Sequence, residues 1–322
     1  MPEPGGQPLR YSVLDLFRSP LESAELAQRA DALRFHRYWV GEHHTPTLCP
    51  NPLLLGAVLL GLTEHVRIGT GALGILARSP LSIAEDIRVI RMLFGDRFDL
   101  GITRGFVGTG GDDERATAEI RGLLLDGRDE ARLREQHGER MGRLCSWLRG
   151  DAAEPPVMWV VGSSAEAARS AAALGVGFCT SLYHARSIAD LDAALAVYRD
   201  GFQPVAGLAE PYAILVQSGV CAASSRDAEA AIRSFFLGDK SDAVELTDKP
   251  MGPWLYAGTG ERCREAIEAV IARFRPDELM IHNLVPQSLE MEIQSLELIA
   301  AALRLGDEPS AVAPGAIPDP DP

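Results

Sequence analysis

Residues suited to acid–base chemistry lie just after a short apolar run of the sequence. Glu42, His43 and His44 follow Tyr38–Val40 directly. A histidine changes its protonation state near neutral pH, so it can accept or donate a proton in a reaction. We predict His43 and His44 as catalytic residues, with a purely structural role as the alternative. Adjacent side chains of an extended chain point in opposite directions, which disfavours one metal ion bound by both histidines, and we predict no metal site.

Two other segments have residue types that bind phosphate. Arg104 ends a strand-like run between glycines, and its guanidinium group can hold a phosphate through two hydrogen bonds. An ion pair with a nearby carboxylate such as Asp112 is the alternative. Ser163 and Ser164 open a helical segment, where free N–H groups bind anions, although an ordinary helix cap has the same sequence. Because the two segments end neighbouring predicted strands, they predict one phosphate pocket.

A run of small residues ends a further predicted strand. Gly69, Gly71 and Ala72 lie within the sequence Ile-Gly-Thr-Gly-Ala. Residues this small allow a flat ring to lie against the backbone, and tight packing of neighbouring strands is the alternative explanation.

All of these residues follow segments with the pattern of β-strands. Short β-branched or apolar runs alternate with longer segments of helical period. The predicted strands are residues 11–16, 38–40, 66–72, 97–103, 157–161, 177–181, 212–220 and 277–284. Eight strands, each followed by a helix, are typical of a (β/α)8 TIM barrel, an α/β fold with its active site at the C-terminal ends of the strands. A doubly wound sheet is the alternative, but the turn after its first strand is usually glycine-rich, whereas residues 17–20 here contain no glycine, and the sequence has no P-loop.

The connections after predicted strands four and seven are longer than one helix requires. We predict an extra helix in each, at Glu130–Leu148 and at Glu261–Phe274. Residues 239–256 have little periodicity and contain Pro250, Gly252 and Pro253. They are either a cover over the site or a surface excursion without function.

Composition and charge narrow the class of partner. The 322 residues include 31 basic and 45 acidic side chains, a net charge of −14, which repels nucleic acids and anionic membranes. The longest apolar run, Pro52–Leu62, has 11 residues, whereas a membrane span needs about 20. The five cysteines include no CxxC pair. We expect a cytoplasmic protein that acts on a small molecule, with one barrel domain over residues 10–305 and flexible ends at 1–9 and 306–322.

The ordered set of motifs resembles the bacterial luciferase-like flavin monooxygenase superfamily. The matching segments are residues 38–44, 67–72, 79–81 with 84–86, 95–105, 160–164 and 257–259. The resemblance extends from about residue 11 to residue 304. It implies a TIM barrel that binds reduced FMN supplied by a separate flavin reductase. In this family O2 adds at the flavin C4a to give a peroxyflavin, which oxygenates a small organic metabolite.

The resemblance also implies roles for individual residues. His43 would be the catalytic base or proton donor, with His44 as a second candidate. The peptide bond between Gly71 and Ala72 would be cis and lie under the flavin ring. The arginine and serines named above would bind the phosphate, and Phe106 would flank the reactive edge of the flavin. The full set of cofactor-binding residues is Gly71, Ala72, Arg104, Phe106, Ser163 and Ser164.

The substrate is expected among the loops after strands one, four, seven and eight. Four aromatic residues are candidates for its lining, with ordinary packing as the alternative: Phe17, Tyr183, Trp254 and Tyr256. The segment between strands four and five is shorter than in luciferase, so aldehyde chemistry and light emission are not implied. The family is commonly dimeric, and Leu53–Leu62 suits a homodimer interface, although a buried barrel helix explains this run equally well.

Two other functions are left open by the sequence. Relatives in the superfamily transfer hydride with a deazaflavin coenzyme and do not activate oxygen. That coenzyme has a long acidic tail, and the sequence offers Arg104 and Arg186 but no basic cluster. The third hypothesis is a non-catalytic flavin-binding subunit, against which the presence of both His43 and Arg104 argues.

Overall fold

Ten segments of the described residues form β-strands, and most are rich in β-branched, aromatic or other apolar residues that suit a sheet buried on both faces. The structure, a computed structural model, describes residues 9–45, 47–76, 78–105, 114–149, 158–204, 208–237, 254–285 and 288–306. In chain order the strands are β1 (Arg10–Asp15), β2 (Arg37–Val40), β3 (Arg67–Thr70), β4 (Leu73–Gly74), β5 (Phe98–Thr103), β6 (Met158–Val161), β7 (Gly177–Ser181), β8 (Ala213–Cys221), β9 (Tyr256–Gly258) and β10 (Glu278–Asn283).

Eight of these strands close into a parallel barrel. Their order is β1-β2-β3-β5-β6-β7-β8-β10, and β10 pairs with both β8 and β1. The short strand β4 pairs with β5, and β9 pairs with β8. The (β/α)8 TIM barrel predicted from the sequence is therefore confirmed, and all eight predicted strands are barrel strands. The sequence pattern missed β4 and β9, because two or three residues are too short to show a period.

Helices connect the strands and surround the barrel. They are α1 (Pro20–Ala32), α2 (Pro52–Leu62), α3 (Pro80–Phe94), α4 (Glu114–Leu125), α5 (Glu130–Glu135), α6 (His137–Arg149), α7 (Ala165–Leu174), α8 (Ile188–Gly201), α9 (Ser225–Leu237), α10 (Gly260–Phe274) and α11 (Leu289–Leu303). The predicted insertions are present, with α4, α5 and α6 after β5, and α9, β9 and α10 after β8. The prediction of one helix over 130–148 was wrong, because α5 ends at the cap residue Gln136 and α6 begins after it.

The barrel interior contains two large rings packed against glycines. Trp39 and Trp159 are buried and meet edge to face, with ring centroids 5.8 Å apart. A Cβ atom on Gly69 would lie 2.4 Å from the Trp39 ring, and one on Gly177 would lie 2.2 Å from the Trp159 ring. Only glycine leaves room for these indoles, so the small residues in β3 and β7 are needed for packing inside the barrel.

Buried ion pairs lie at the N-terminal ends of the strands. Arg37 donates to Asp99 over 2.9 Å and also pairs with Glu278, and Arg67 donates to Asp99 over 2.7 Å. Burial alone would raise the pKa of Asp99, but the two guanidinium groups hold it at about 2. These charges link β2, β3, β5 and β10 at the end of the barrel opposite the candidate site.

Candidate active site

A cavity of about 820 Å³ opens where the barrel strands end. Residues that follow the C-termini of β1, β2, β3, β5, β6 and β7 line its walls, together with Met280 and His282 within β10. Its lower part is the apolar barrel interior, including Leu14, Trp39 and Val216. The cavity is therefore at the end of the barrel where TIM-barrel enzymes have their active sites.

His43 lines this cavity and has an unsatisfied polar atom. Its Nε2 is buried and has no hydrogen-bond partner in the described residues. Its backbone N–H donates to the Cys49 carbonyl over 2.8 Å, which fixes the loop after β2. Burial is the main cause that lowers the pKa of His43 below 6.5, with Glu42 opposing the shift and His44 adding to it. The imidazole is therefore neutral at pH 7 and can exchange a proton with a bound molecule.

His44 has a different environment and is not among the residues that line the cavity. Its Nε2 lies 2.6 Å from Glu42 Oε1, which also accepts a hydrogen bond from Arg78 Nη1 over 2.6 Å. Glu42 Oε2 accepts the backbone N–H of Gly74 over 2.7 Å. Burial would raise the pKa of Glu42, but these hydrogen bonds and the positive charge of Arg78 lower it. Glu42 therefore ties the loop that bears His43 to the segment after β3, and His44 belongs to that support.

The segments predicted to bind phosphate meet at one part of the cavity. Arg104, Ser163 and Ser164 all line it, after β5 and β6. Ser164 caps α7 by accepting the backbone N–H of Ala167 over 3.2 Å. The other N–H groups of the first turn carry the positive end of the helix dipole. Arg104 Nη1 donates to Glu166 Oε2 over 2.6 Å at the surface, so it has an ion pair with α7. The alternative partner, Asp112, lies outside the described residues.

The peptide bond between Gly71 and Ala72 is cis, as expected, and both residues line the cavity. The Gly71 N–H donates to the Val40 carbonyl over 2.7 Å. A Cβ atom on Gly71 would lie 3.0 Å from Leu14 and from Trp39. Because β3 lies between β2 and β5, this backbone separates His43 from Arg104 along the rim of the barrel.

Sequence reasoning missed two histidines that line the cavity, His184 and His282, and it considered Arg186 only for the tail of a deazaflavin coenzyme. His282 is in β10, and the rule that selected His43 would have selected it too, since it lies near the C-terminal end of a predicted strand. Its Nδ1 lies 3.0 Å from Ser218 Oγ. His184 follows β7, where burial lowers its pKa. Arg186 adds a second positive charge to the cavity wall.

The four predicted substrate residues fall into two groups. Phe17 and Tyr183 line the cavity. Trp254 and Tyr256 do not: Trp254 packs on Phe274 with ring centroids 5.2 Å apart, and the Tyr256 hydroxyl is buried and donates to the His282 carbonyl over 3.1 Å. Phe106 and most of the possible cover at 239–256 lie outside the described residues.

Comparison with known proteins identifies the family. The sequence matches the luciferase-like monooxygenase family over residues 4–252. The chain belongs to the luciferase-like monooxygenase family. A luciferase-like monooxygenase of Escherichia coli K12 is 31% identical over 246 residues, which are 69% of each chain. The oxygenase component of the flavin-dependent trigonelline monooxygenase of Acinetobacter baylyi is 40% identical over 86 residues, 26% of this chain and 24% of its own.

Solved structures share the fold of this luciferase-like monooxygenase. Apo-MsnO8 superposes with a TM-score of 0.78 at 24% identity, over 92% of this chain and 99% of its own. The oxygenating constituent of 3,6-diketocamphane monooxygenase of Pseudomonas putida, solved with FMN, has a TM-score of 0.65 at 15% identity, over 91% and 97%. An F420-dependent secondary alcohol dehydrogenase has a TM-score of 0.58 at 14% identity, over 92% and 99%. The fold therefore occurs with both cofactors.

The described residues offer neither a metal site nor a membrane-spanning helix. They contain no group of three or more histidine, cysteine, aspartate or glutamate side chains placed to hold a metal ion. No helix within the described ranges combines the length and the apolar character needed to cross a membrane.

Proposed function

We propose that this protein is the oxygenase component of a two-component monooxygenase. It would take reduced FMN from a separate flavin reductase and use O2 to oxygenate a small organic metabolite. The observation that carries the proposal is one cavity lined both by an anion-binding helix start with Arg104 and by His43, whose buried Nε2 has no partner among the described residues. Two relatives support it, since one is named an oxygenase component and another was solved with FMN.

The residues present fit FMN at two points of the cavity. Arg104 and the first turn of α7, capped by Ser164, offer hydrogen-bond donors and positive charge for a phosphate. The backbone at Gly71 and Ala72 offers a surface without bulky side chains for a flat ring. Glu166 opposes phosphate binding where it now pairs with Arg104, so the Arg104 side chain must exchange partners when the phosphate binds.

The chain's own residues would hold the reactants and move one proton. Bound reduced FMN supplies the electrons that activate O2, of which one oxygen atom enters the substrate and the other leaves as water. His43, neutral at pH 7, accepts or returns a proton at Nε2 beside the reacting groups. Leu14, Leu16 and Val161 make the nearby wall apolar and exclude water from the reaction.

The charge of the cavity wall favours FMN over a deazaflavin coenzyme. Arg104 and Arg186 are positive, but Glu166 and Asp190 line the same cavity and offset them. A long acidic coenzyme tail would meet these carboxylates, whereas a single phosphate needs only the first turn of α7 and one arginine. Hydride transfer is the second candidate function, because an F420-dependent dehydrogenase has the same fold.

Binding and oxygen uptake together test the proposal. The protein is titrated under anaerobic conditions with reduced FMN and, separately, with reduced F420. Oxygen uptake is then followed with NADH and an independent flavin reductase, against the reductase alone. We expect tighter binding of FMN and a change in the oxygen uptake or peroxide yield of the coupled system. Tighter binding of F420 would support hydride transfer instead, and binding of FMN with no change in oxygen chemistry would indicate the non-catalytic subunit.

A further inference from the structure

A second buried histidine of the cavity has an unpaired ring nitrogen. His282, in β10, is 3% exposed, and its Nε2 is buried without a hydrogen-bond partner in the described residues. The proton exchange assigned to His43 does not use it. A buried polar atom without a partner is unfavourable, so a bound molecule that pairs with it would relieve that cost.

The other ring nitrogen of His282 indicates which partner Nε2 needs. Nδ1 lies 3.0 Å from the hydroxyl of buried Ser218, and no other hydrogen bond of that hydroxyl is found in the described residues. If Nδ1 donated to Ser218, the hydroxyl proton would be left without an acceptor. If Ser218 donates to Nδ1, the hydroxyl proton is satisfied and only the N–H on Nε2 still needs a partner, which a bound molecule can supply. Nε2 is then a donor, and its missing partner is an acceptor atom such as a carbonyl oxygen.

The surroundings of His282 suit an uncharged ligand. Burial is the main cause that lowers its pKa to about 3, and His184 adds to the shift. The imidazole therefore has no positive charge at neutral pH with which to offset an anion. The charged residues of the cavity wall, such as Arg104 and Arg186, follow β5 and β7 and belong to the part of the rim that holds α7 and α8.

Four aromatic side chains and His282 form a closed cycle of ring–ring contacts. Phe17 contacts His282 with ring centroids 6.0 Å apart, and Tyr183 contacts it at 5.9 Å. Phe17 also lies 5.8 Å from Phe235, which lies 5.3 Å from Phe236, and Phe236 stacks on Tyr183 at 6.3 Å. Of these rings, Phe17, Tyr183 and His282 line the cavity, where their faces and edges can pair with a flat aromatic molecule. The ring centroids of Phe17 and His43 are also 5.5 Å apart, so this cycle of rings lies next to the proposed catalytic residue.

We propose that Phe17, Tyr183 and His282 form the substrate subsite, and that it takes a flat, uncharged aromatic molecule whose carbonyl-type oxygen accepts a hydrogen bond from His282 Nε2. That the bound molecule is then oxygenated rests on the proposed function. Phe17, which is half-exposed, is the ring that moves aside to admit the ligand. Ser218 is a positioning residue, because it acts only by fixing the tautomer of His282.

Three matched probes test this subsite by binding alone. 2-Acetylnaphthalene presents the acceptor oxygen, 2-isopropenylnaphthalene replaces that oxygen by a CH2 group of the same shape, and 2-naphthoate adds a charge. Dissociation constants are measured by equilibrium dialysis on the full chain, with and without oxidised FMN. We expect the ketone to bind about tenfold more tightly than the alkene, the effect of one hydrogen bond, and the carboxylate to bind most weakly. Equal affinity of ketone and alkene, or no binding of either, overturns the proposal.

Variants test whether His282 causes the preference for the ketone over the alkene. His282→Ala should lower the affinity for the ketone to that for the alkene, while the matched variant His184→Ala keeps the tenfold ratio. Phe17→Ala should weaken both neutral probes equally. A His282→Ala protein that folds and still prefers the ketone overturns the assignment. If that variant does not fold, Ser218→Ala is measured instead, and it should reduce the ratio of the alkene and ketone dissociation constants. The measurement needs no reductase or oxygen, so its failure and the failure of the monooxygenase proposal are separate results.

Discussion

His43 and His44 are adjacent and chemically identical, yet the structure gives them different environments. His43 lines the cavity with an Nε2 that has no partner in the described part of the chain, and His44 pairs with Glu42 outside the cavity lining. The difference arises because Glu42 also binds Arg78 and the backbone of Gly74, which fixes the side of the loop that His44 occupies. Only His43 is therefore kept as the proposed catalytic residue, and His44 becomes part of its support.

Replacing His43 by alanine should separate chemistry from binding. We expect turnover in the coupled assay to fall by about 10²- to 10⁴-fold, because a positioned proton donor and acceptor is lost. The affinity for reduced FMN should stay nearly unchanged, since the phosphate is held after β5 and β6. Steady-state kinetics and an anaerobic titration measure the two quantities. His65→Ala, an exposed histidine, is the control, and full turnover of the His43 variant would remove this residue from the mechanism.

The ion pair between Arg104 and Glu166 leads us to expect opposite changes in the affinity for reduced FMN when either residue is replaced. Arg104→Ala should weaken binding of reduced FMN by about tenfold, the lower end for a charge-assisted hydrogen bond, because the side chain is exposed to solvent. Glu166→Gln should strengthen binding, since it removes a carboxylate beside the phosphate and frees Arg104. Arg169→Ala, on the exposed face of α7, changes the same charge and should have little effect. Unchanged affinity in both site variants would refute the phosphate assignment.

At the scale of the elements, the strands hold functional groups at one end of the barrel and buried ion pairs at the other. Arg37, in β2, joins Asp99 of β5 to Glu278 of β10, while His43 and His282 lie at or near the C-terminal ends of β2 and β10. Removing one member of a buried pair leaves an uncompensated charge and destabilises the fold. Stability and chemistry are thus assigned to different ends of the same strands.

Asp99→Asn should destabilise the barrel in a pH-dependent way. At pH 7 we expect the free energy of unfolding to fall by about 3 kcal/mol, because two guanidinium groups lose their carboxylate. The folded pKa of Asp99, about 2, is below its ordinary value of 3.8, so the carboxylate stabilises the fold above pH 3.8. That stability is lost as the pH falls through 2, and the variant should approach the wild type there.

Denaturant unfolding at several pH values measures this effect. Asp96→Asn is the matched control, because Asp96 pairs with Arg91 at the surface and should contribute less than about 1 kcal/mol. A loss for Asp99→Asn that is no larger than the control, or that does not change with pH, would contradict the role given to the buried pairs.

At the scale of the whole molecule, two neighbouring helices expose apolar side chains. Leu54, Val58 and Leu62 follow one face of α2, and α2 packs against α3. On α3, Met92 and Leu93 are 80% and 69% exposed. Several exposed apolar side chains on two helices that pack together are typical of an interface between subunits. We propose that this face forms the homodimer that the sequence led us to expect.

A charge placed on this face should produce a monomer. In the double variant Val58→Glu with Met92→Glu, two carboxylates on each subunit would be buried against apolar side chains of the partner. Size-exclusion chromatography with light scattering should give a dimer for the wild type and a monomer for the variant. Leu123→Glu, on exposed α4, is the control and should remain dimeric. A monomeric wild type over the whole concentration range would contradict the proposal.

The sequence by itself determined the barrel and the rim positions at the ends of its strands. Each strand is a local apolar run and each helix has its own period, so the order of elements and the location of His43, Arg104 and Ser164 could be predicted without tertiary contacts. The same local patterns missed β4 and β9, and they joined α5 and α6, because single turns and two-residue strands have no period.

The tertiary structure alone decided which rim residues enter the cavity. Ser218 meets His282 across a pair of parallel strands, 64 positions apart in the chain, and no local pattern marks such a contact. Trp254 and Tyr256 looked suited to bind a substrate, but packing on Phe274 and a hydrogen bond to the β10 backbone hold them elsewhere. Strand register and side-chain packing depend on distant segments together, and for that physical reason they are absent from any one stretch of sequence.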